Sequence, residues 1–399
     1  MKWTKHRLKL DPVALSVPYR ETTVAQLVQA DLTVPPLLSP EVLTLLVRPD
    51  CKEISDFEGQ YRRMLHCSTH PAAHYCHFML YPAERSIFSP KAELAQYQRW
   101  INRNLLSLLI PSDYAIAYRK GLSLADTMQV HAGKSCMIKM DISHFFDSIR
   151  AADVYRIFER FNYPKSVTTL LTKLCTLNGR LPQGVPSSPA LANLVLQAAD
   201  EDIGNYCHTH GITYTRYCDD LIFSTDKADT GALIRFVTDR LAKDGFVVNR
   251  KKTRVMYSGT RHKALGVVCN DRAATDRRVR RQLRQEMYYI GKFWVCEHLL
   301  RKEDPQYLQA GQPMPLKYLC SLLGKVSWVL SFEPKSSEFF GYKAELCKLL
   351  GLYDELVDHT RFTDYDRLDT MAPETVHSLL HENGDYENET ELFGQQSFW

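Results

Sequence analysis

The sequence predicts an α+β protein in which acidic residues stand at the ends of short apolar strands. The stretch KSCMIKMDI, residues 134–142, contains an apolar run that is typical of a buried strand, and this strand is expected to end at Asp141. The stretch TRYCDDLIFST, residues 215–225, predicts a strand, a tight turn and a second strand, with Asp219 and Asp220 at the turn. Between and around these strands, apolar residues recur at helical spacing.

Helices and one further strand are predicted from four stretches. LAQYQRWINRNLLSLL (94–109) repeats apolar residues as a helix does, and ALIRFVTDRLAKDG (232–245) predicts a helix that ends at Gly245. FVVNRKKTRVMY (246–257) is typical of a strand. PALANLVLQAADEDI (189–203) predicts a helix with one apolar face formed by Leu191, Leu194, Val195 and Ala198.

Composition places the chain among ordinary globular proteins. It has 399 residues, 45% hydrophobic and 24% charged, which excludes a disordered or collagen-like chain and predicts two or three subdomains. No run of about 18 uncharged apolar residues occurs, and the amino-terminal MKWTKHRLKL lacks a following apolar segment. The eleven cysteines, odd in number, suit reduced thiols. We therefore expect a cytoplasmic protein with no membrane contact.

One cluster of histidines and cysteines could bind a metal. HCSTHPAAHYCH, residues 66–77, contains zinc-capable ligand types, but their spacing matches no familiar zinc pattern. Packing in a loop or core is the favoured interpretation, and a structural metal stays open.

The charge is distributed unevenly along the chain. All 50 lysines and arginines but only 39 of the 46 acids lie in residues 1–367, which gives this part a net charge of +11, while the last residues are acidic. Residues 250–284 alone hold twelve lysines and arginines against Asp271 and Asp276. Such a stretch indicates either contact with a phosphate backbone or a solvated helix face.

Asp141, Asp219 and Asp220 would converge if their strands were neighbours. Three clustered carboxylates repel one another unless cations neutralise them, and hard oxygen ligands favour Mg²⁺. Two such ions about 3.5 to 4 Å apart can activate a 3′-hydroxyl and stabilise a leaving pyrophosphate, which is nucleotidyl transfer. An isolated pair of aspartates, by contrast, is more typical of a hairpin turn.

Several stretches resemble the prokaryotic retron and defence-associated reverse transcriptases. YCDD (217–220), MIKMDISHFFDSI (137–149) and GRLPQGVPSSPALANLV (179–195) are similar to the palm of that family. The resemblance covers about residues 80–350 in the family's order, and its other blocks are RSIFSPKAELAQYQRWI (85–101), GFVVNRKKT (245–253), LGVVCNDRAATDRRVRRQLRQEMYYI (265–290) and LLGKVSWVLSFEP (322–334).

The resemblance implies a right-hand polymerase fold with fingers, a palm built on an antiparallel sheet, and a helical thumb. The domains expected from it are an amino-terminal helical extension (1–80), fingers and palm (81–265), a thumb with a basic helix (266–370) and an acidic carboxy-terminal tail (371–399).

The resemblance also implies roles for residues at the reaction centre. Asp141, Asp219 and Asp220 match the catalytic acids, which with the backbone of Ile142 would hold two Mg²⁺ ions, or Mn²⁺ as a substitute. Lys252 matches a lysine near the leaving pyrophosphate, where it would act as a general acid or neutralise charge.

Further residues are matched to substrate binding. Phe146 would exclude a ribose 2′-hydroxyl and so select dNTPs, although it could instead be a core aromatic. Arg85 and Lys91 would bind the triphosphate, and Gln183 and Gly184 would approach the nucleotide and template. The residues expected to bind nucleic acid are Arg277, Arg278, Arg280, Arg281, Arg284 and Lys325.

The activity implied is RNA-directed DNA synthesis that copies an associated non-coding RNA in antiphage defence. Its partners would be that RNA, a primer, the DNA product, dNTPs, and either a second defence protein or further copies of the chain. TMQVH (127–131) and Ala264-Leu265-Gly266 depart from retron blocks associated with RNA binding and favour a defence-type relative. Synthesis that is untemplated or templated by protein, and an RNA-binding scaffold without activity, remain as alternatives.

Overall fold

The computed structural model divides the chain into two compact units. The first contains the described residues up to Leu122 together with Lys134–Ser258, and the second contains Ser123–Gly133 together with the described residues from Gly259 onward. The predictions for residues 1–36 and for the acidic tail lie outside the described part of the chain. The residues that the structure describes are 37, 39–47, 54–80, 85–119, 121–226 and 229–355.

The first unit is built on an antiparallel sheet whose central strand carries Asp141. Strand β3 pairs with β5 on one side and with β6 and β7 on the other, and β4 pairs with β5. β3 and β5 are largely buried, because their apolar side chains enter the main core of this unit. The strands of this sheet are β3 (Cys136–Ser143), β4 (Thr213–Tyr217), β5 (Asp220–Thr225), β6 (Val247–Val248) and β7 (Arg254–Tyr257).

Helices surround this sheet, and a separate antiparallel hairpin precedes it. The hairpin consists of β1 (Tyr75–Leu80) and β2 (Arg85–Pro90). The helices of the first unit are α1 (Pro40–Val47), α2 (Ile54–Thr69), α3 (Ala92–Asn104), α5 (Phe145–Ser148), α6 (Ala151–Glu159), α7 (Lys165–Cys175), α8 (Ser188–Val195), α9 (Gln197–Thr209) and α10 (Thr230–Lys243), where α4 belongs to the second unit.

The structure corrects two of the expected elements. The helix predicted over 189–203 is two helices that meet at Leu196, and Ala198, expected on the apolar face, is exposed. The strand predicted over 246–257 is two short strands, because a turn after Asn249 interrupts it. The helix predicted over 94–109 is present as α3 but ends at Asn104, and the helix predicted to end at Gly245 is present as α10 and ends at Lys243.

The second unit is mainly helical and has its own apolar core. The last four helices of this unit contribute most of the core residues, and small antiparallel sheets accompany these helices. Residues 123–133, including α4, belong here rather than with the palm range 81–265; the predicted domain bounds stay predictions. The elements are α4 (Leu124–Gln129), β8 (Lys263–Ala264), β9 (Val267–Val268), β10 (Ala274–Thr275), α11 (Arg277–Phe293), α12 (Val295–Lys302), β11 (Leu308–Gln309), β12 (Gln312–Pro313), α13 (Pro315–Phe332) and α14 (Ser337–Glu355).

A buried carboxylate ties three helices of the second unit together. Glu286 on α11 accepts hydrogen bonds from Tyr318 Oη at 2.7 Å and from Lys302 Nζ at 2.6 Å, and its Oε2 lies 2.8 Å from His298 Nε2. Burial alone would raise the pKa of Glu286, but these partners outweigh it and lower the pKa to about 2. This carboxylate is therefore charged at neutral pH.

None of the helices in the described ranges combines the length and the apolar character that crossing a membrane requires.

Candidate active site

The sheet register brings the predicted acids together. Asp141 on β3 lies opposite Asp220 on β5, and the N–H of Ile142 donates to the carbonyl oxygen of Asp219 at 2.9 Å. Asp141 is 4% exposed. Asp141 is thereby brought to the adjacent acids Asp219 and Asp220, 78 and 79 residues further along the chain, at one end of two paired strands.

A two-residue turn presents Asp219. Cys218 and Asp219 connect β4 to β5, and Cys218 adopts a left-handed backbone with φ of 58°. The Cys218 side chain is buried and accepts a hydrogen bond from Tyr118 Oη at 3.4 Å. Burial raises the pKa of this thiol to about 11, so it is neutral at pH 7. Cys218 thus serves as a small, neutral member of the turn.

A buried arginine anchors the same turn. Arg216 is fully buried, and its guanidinium donates to both carboxylate oxygens of Asp200, at 2.8 and 2.6 Å. It also donates to the amide oxygen of Asn193 at 3.2 Å and to the carbonyl oxygen of Cys218 at 3.0 Å. A bidentate pair of this kind fixes orientation as well as position. The turn that carries Asp219 is consequently held from inside the core.

Two lysines lie against the acids. Lys139 Nζ is 2.8 Å from Asp220 Oδ2, and Lys252 Nζ is 2.8 Å from Asp141 Oδ1. The other oxygen of Asp141, Oδ2, is buried and has no hydrogen-bond partner among the described residues. Burial raises the pKa of Asp220 above its usual range, while Lys139 opposes the shift. The two lysines therefore do not neutralise all the negative charge of the three carboxylates.

Asn249 positions Lys252. The N–H of Asn249 donates to the carbonyl oxygen of Asp141 at 2.7 Å, and its side-chain oxygen accepts from the backbone N–H groups of Lys251 and Lys252. This is the arrangement by which an asparagine side chain stabilises a local turn. One residue thereby links β3 to the turn that directs Lys252 toward Asp141.

Phe146 follows β3 on the short helix α5. It is half-buried, packs against the core of the first unit, and its ring centroid lies 5.4 Å from that of Phe145. His144, between the strand and this helix, has a left-handed backbone with φ of 47°, which turns the chain away from the sheet. The structure leaves part of the Phe146 ring accessible.

Gly184 is required by a close approach within the first unit. Its φ is +99°, and an added Cβ would lie 2.7 Å from Ile87 Cγ2 and 2.9 Å from the carbonyl oxygen of Phe88. The carbonyl oxygen of Gln183 accepts from the N–H of Phe88 at 2.8 Å. The loop with Gln183 and Gly184 is thus docked on β2, a contact that the sequence did not predict.

Arg85 and Lys91 bracket the same strand. Arg85 is the first residue of β2 and is exposed. Lys91 directly precedes α3, is exposed, and donates its backbone N–H to His74 at 2.8 Å. Both side chains are accessible to a ligand.

The basic helix α11 divides into paired and exposed arginines. Arg280 is 2.7 Å from Glu333, and Arg284 makes two hydrogen bonds with Glu338. These two residues stabilise the second unit, so less of their charge is available to nucleic acid than predicted. The predicted nucleic-acid-binding residues that are exposed and lie outside these two pairs are Arg277, Arg278, Arg281 and Lys325.

His131, the residue kept from the retron block, is structural in this fold. It is fully buried, and burial lowers its pKa to about 4, so the ring is neutral. The chain around it is fastened to the segment after β9: Met128 accepts a hydrogen bond from Cys269 Sγ at 3.6 Å, and Gly133 donates to Asn270 at 2.6 Å. The two departures from the retron pattern thus lie in one unit.

Sequence reasoning missed four residues that shape the centre. Lys139 is the one charged residue besides Asp141 in an otherwise apolar strand, which was a usable signal. A second signal was the arginine in the aromatic run YTRY, since a buried arginine needs an acid. The four missed residues are Lys139, Asp200, Arg216 and Asn249.

Comparison with known proteins supplies the family. A family model described as reverse transcriptase (RNA-dependent DNA polymerase) matches residues 85–291, which is more than half of the chain. The chain belongs to the reverse transcriptase family. This range contains the paired strands, the YCDD turn and the lysine that contacts Asp141. The enzyme is thus an RNA-directed DNA polymerase by family, and that family has the right-hand polymerase fold.

Retron enzymes are among its relatives. The retron Ec86 reverse transcriptase of Escherichia coli is 32% identical over 219 residues, which cover 54% of this chain and 68% of that protein. The retron Mx65 and Mx162 reverse transcriptases of Myxococcus xanthus are 32% and 30% identical, and the match covers 52% and 50% of their lengths. The enzyme is therefore of the prokaryotic retron type, and it spans about half the length of the two Myxococcus relatives.

Proposed function

We propose that the enzyme extends a primer with dNTPs by two-metal nucleotidyl transfer on Asp141, Asp219 and Asp220. The observation that carries this proposal is the register that sets Asp141 opposite Asp220, with Asp219 hydrogen-bonded to the next residue of β3. No other function accounts as well for three carboxylates gathered at one strand end, within a reverse transcriptase family match.

The residues present fit divalent metal. Asp141 Oδ2 is buried without a hydrogen-bond partner among the described residues, and such an oxygen is expensive to bury unless a cation meets it. The donor set consists of carboxylate oxygens and a backbone carbonyl, which are the hard ligands that Mg²⁺ prefers and that Mn²⁺ accepts. Asp141, Asp219 and Asp220 would hold the ions, with the carbonyl oxygen of Ile142 as a further ligand.

When bound, two such ions lower the pKa of a primer 3′-hydroxyl and neutralise the charge that develops on the phosphates. The chain's own groups perform the rest. Arg216 and the sheet hold the acids at a fixed separation, and Lys139 balances the charge of Asp220. Lys252 Nζ, next to Asp141, can donate a proton to the leaving pyrophosphate or neutralise part of its negative charge.

Substrate choice follows from the residues around the centre. The half-buried ring of Phe146 supports a steric barrier to a ribose 2′-hydroxyl, which would favour dNTPs over rNTPs. Arg85 and Lys91, both exposed, would bind the triphosphate of the incoming nucleotide. The exposed basic residues of α11 would follow a phosphate backbone.

The proposed template is a non-coding RNA that associates with the enzyme, and the proposed role is antiphage defence. Support for the template comes from the basic body of the chain and from the names of the retron relatives. Support for the defence role comes from the resemblance to defence-associated reverse transcriptases.

Sequencing of the products tests the proposal. The enzyme is purified with the RNA that it carries, supplied with dNTPs and Mg²⁺, and its products are sequenced. DNA complementary to the bound RNA is expected. Repetitive DNA unrelated to that RNA would instead support untemplated or protein-templated synthesis.

Matched variants test the metal ligands. Asp219→Asn with Asp220→Asn should abolish synthesis and leave RNA binding unchanged, while Asp226→Asn, on an exposed acid that follows β5, should retain activity. Persistent synthesis without the two acids would contradict the assignment. The same pair of variants in a phage infection assay tests the defence role, since protection should require the acids.

A further inference from the structure

The histidine and cysteine cluster of the amino-terminal region is brought together with an acid from another helix. The Cys67 thiol, a ring nitrogen of His74 and a carboxylate oxygen of Glu93 all lie within 4.8 Å of one another. Cys67 lies buried in the last turn of α2, His74 ends a short turn before β1, and Glu93 lies in the first turn of α3. Three separate elements therefore direct zinc-capable atoms at one point.

We propose that Cys67, His74 and Glu93 form a zinc site. In tetrahedral zinc sites the bonds to sulfur and nitrogen are about 2.3 and 2.0 to 2.1 Å, which places two such ligand atoms about 3.6 Å apart. Cys67 Sγ and His74 Nδ1 are 3.5 Å apart. The pair thus already has the separation that zinc imposes.

A second histidine orients the first. His66 Nδ1 lies 2.7 Å from His74 Nε2, and the ring of His70 stacks on that of His66 at 4.6 Å between centroids. When His74 donates its Nε2–H to His66, its Nδ1 carries the lone pair that faces Cys67. Zinc-binding histidines usually donate their other ring N–H in this manner, which fixes the tautomer.

The acid of the cluster has a buried oxygen that forms an ion pair but accepts no hydrogen bond. Glu93 Oε1 lies 3.2 Å from Arg63 Nε, and none of the described residues donates a hydrogen bond to it. A metal bound here would take the ring of His74 through its unprotonated nitrogen, and the charge of the ion would compensate both the carboxylate of Glu93 and the thiolate of Cys67.

Zinc suits this ligand set better than magnesium does. Thiolate and imidazole are softer ligands than the oxygens that Mg²⁺ and Ca²⁺ require. Binding would release the thiol proton to solvent and form the zinc–sulfur bond, with no oxidant or reductant needed. Three protein ligands leave the fourth position to water.

The site would fix the base of the β1–β2 hairpin. His74 immediately precedes β1, and Glu93 follows β2 by three residues. A metal that joins them to α2 would hold both ends of the hairpin on whose second strand Arg85 lies. This role is structural and separate from the carboxylates of the sheet.

Metal analysis of the full-length chain tests the proposal. About one zinc per chain is expected by mass spectrometry, since one ion would be held by the three ligands. Asp219→Asn with Asp220→Asn should keep this zinc, so a failure of the polymerase proposal is distinguishable from a failure of this one. Absence of zinc from the unsubstituted protein would overturn the site.

Matched variants locate the ligands. His74→Gln and Cys67→Ala should lose the zinc, while His77→Gln and Cys76→Ala, which alter the exposed members of the same cluster, should retain it. Equal zinc content in His74→Gln and His77→Gln would overturn the assignment. His74 is only half-buried, so its variant should keep the wild-type circular dichroism.

Cobalt binding can be measured on the unsubstituted protein, so this test does not depend on whether a variant folds. Metal-free protein titrated with Co²⁺ should develop a thiolate-to-cobalt charge-transfer band and melt at a higher temperature. A spectrum with oxygen and nitrogen ligands alone would show that Cys67 and His74 form only a thiol–imidazole hydrogen bond, and would overturn the proposal.

Discussion

The guanidinium of Arg216 and the carboxylate of Asp200 form a fully buried, two-point ion pair directly behind the YCDD turn. The same guanidinium donates to the carbonyl oxygen of Cys218. Asp200 also accepts from Tyr214 Oη at 2.8 Å, so the pair sits in a network whose polar groups satisfy one another. The turn that carries Asp219 is thus held by a charge pair whose two members are both buried.

Removal of one member of this pair should destabilise the first unit strongly. Arg216→Met leaves the Asp200 charge buried without its partner, and such a loss costs about 3 to 5 kcal/mol in the free energy of unfolding. Arg216→Met combined with Asp200→Leu should recover part of that loss. Urea unfolding measures the stability of both variants.

The control is Arg62→Met, which breaks an exposed pair with Glu58 and should change the free energy of unfolding little. A double variant no more stable than Arg216→Met would contradict this account.

Loss of the lysine beside Asp141 should slow synthesis more than loss of its neighbour. Lys252→Ala removes the ammonium group 2.8 Å from Asp141, and we expect a fall in the rate constant of single-nucleotide addition of roughly a hundredfold. Lys251→Ala alters an exposed lysine one position earlier and should have a small effect. Equal losses would indicate a general effect of positive charge on nucleic-acid binding.

Substitution of Gly184 should reveal the tight contact with β2. Gly184→Ala adds a Cβ that meets Ile87 and Phe88 and also strains a backbone at positive φ, so we expect a loss of about 1 to 3 kcal/mol. Gly179→Ala is the matched control, because its φ is +73° and no neighbouring atom of the described chain lies within 4 Å of the added carbon. Thermal unfolding compares the two. Equal shifts would show that backbone strain, rather than the contact, determines the loss.

The buried Glu286 should make stability depend on acid pH. Its pKa is about 2 in the folded protein against an ordinary 4.5, so its contribution is present above pH 4.5 and is lost as the pH falls toward 2. At most it is about 3 kcal/mol, by the conversion of 1.36 kcal/mol per pKa unit. Glu286→Gln should flatten the unfolding free energy over this interval.

The control for that experiment is Glu297→Gln, which alters an exposed glutamate of α12. It should leave the pH dependence unchanged. A slope that persists in Glu286→Gln would place the acid sensitivity in other carboxylates.

Local patterns predicted the strands and the acids because both depend on neighbouring residues. The apolar run before Asp141 is a strand as expected, although β3 extends two residues further to Ser143. The turn expected to contain Asp219 and Asp220 lies one residue earlier, at Cys218 and Asp219, and Asp220 begins β5. Helix α3 could likewise be predicted from the spacing of its apolar residues.

What could not be predicted are the contacts between distant segments. Arg216 meets Asp200 sixteen residues away, and Glu93 meets a cysteine from another helix. Periodicity carries no information about such pairings, which arise only when the elements pack. The turn after Asn249 was missed because two short strands of like composition resemble one longer strand.

The register of β3 has a consequence for the folding chain. Asp141 pairs with β5 through Asp220 and receives the N–H of Asn249 beside the two-residue strand β6. A slip of one residue would turn its carboxylate to the opposite face of the sheet. If the proposed metal ligands are right, a nascent chain would gain its reaction centre only after β5 and β6 have both paired with β3.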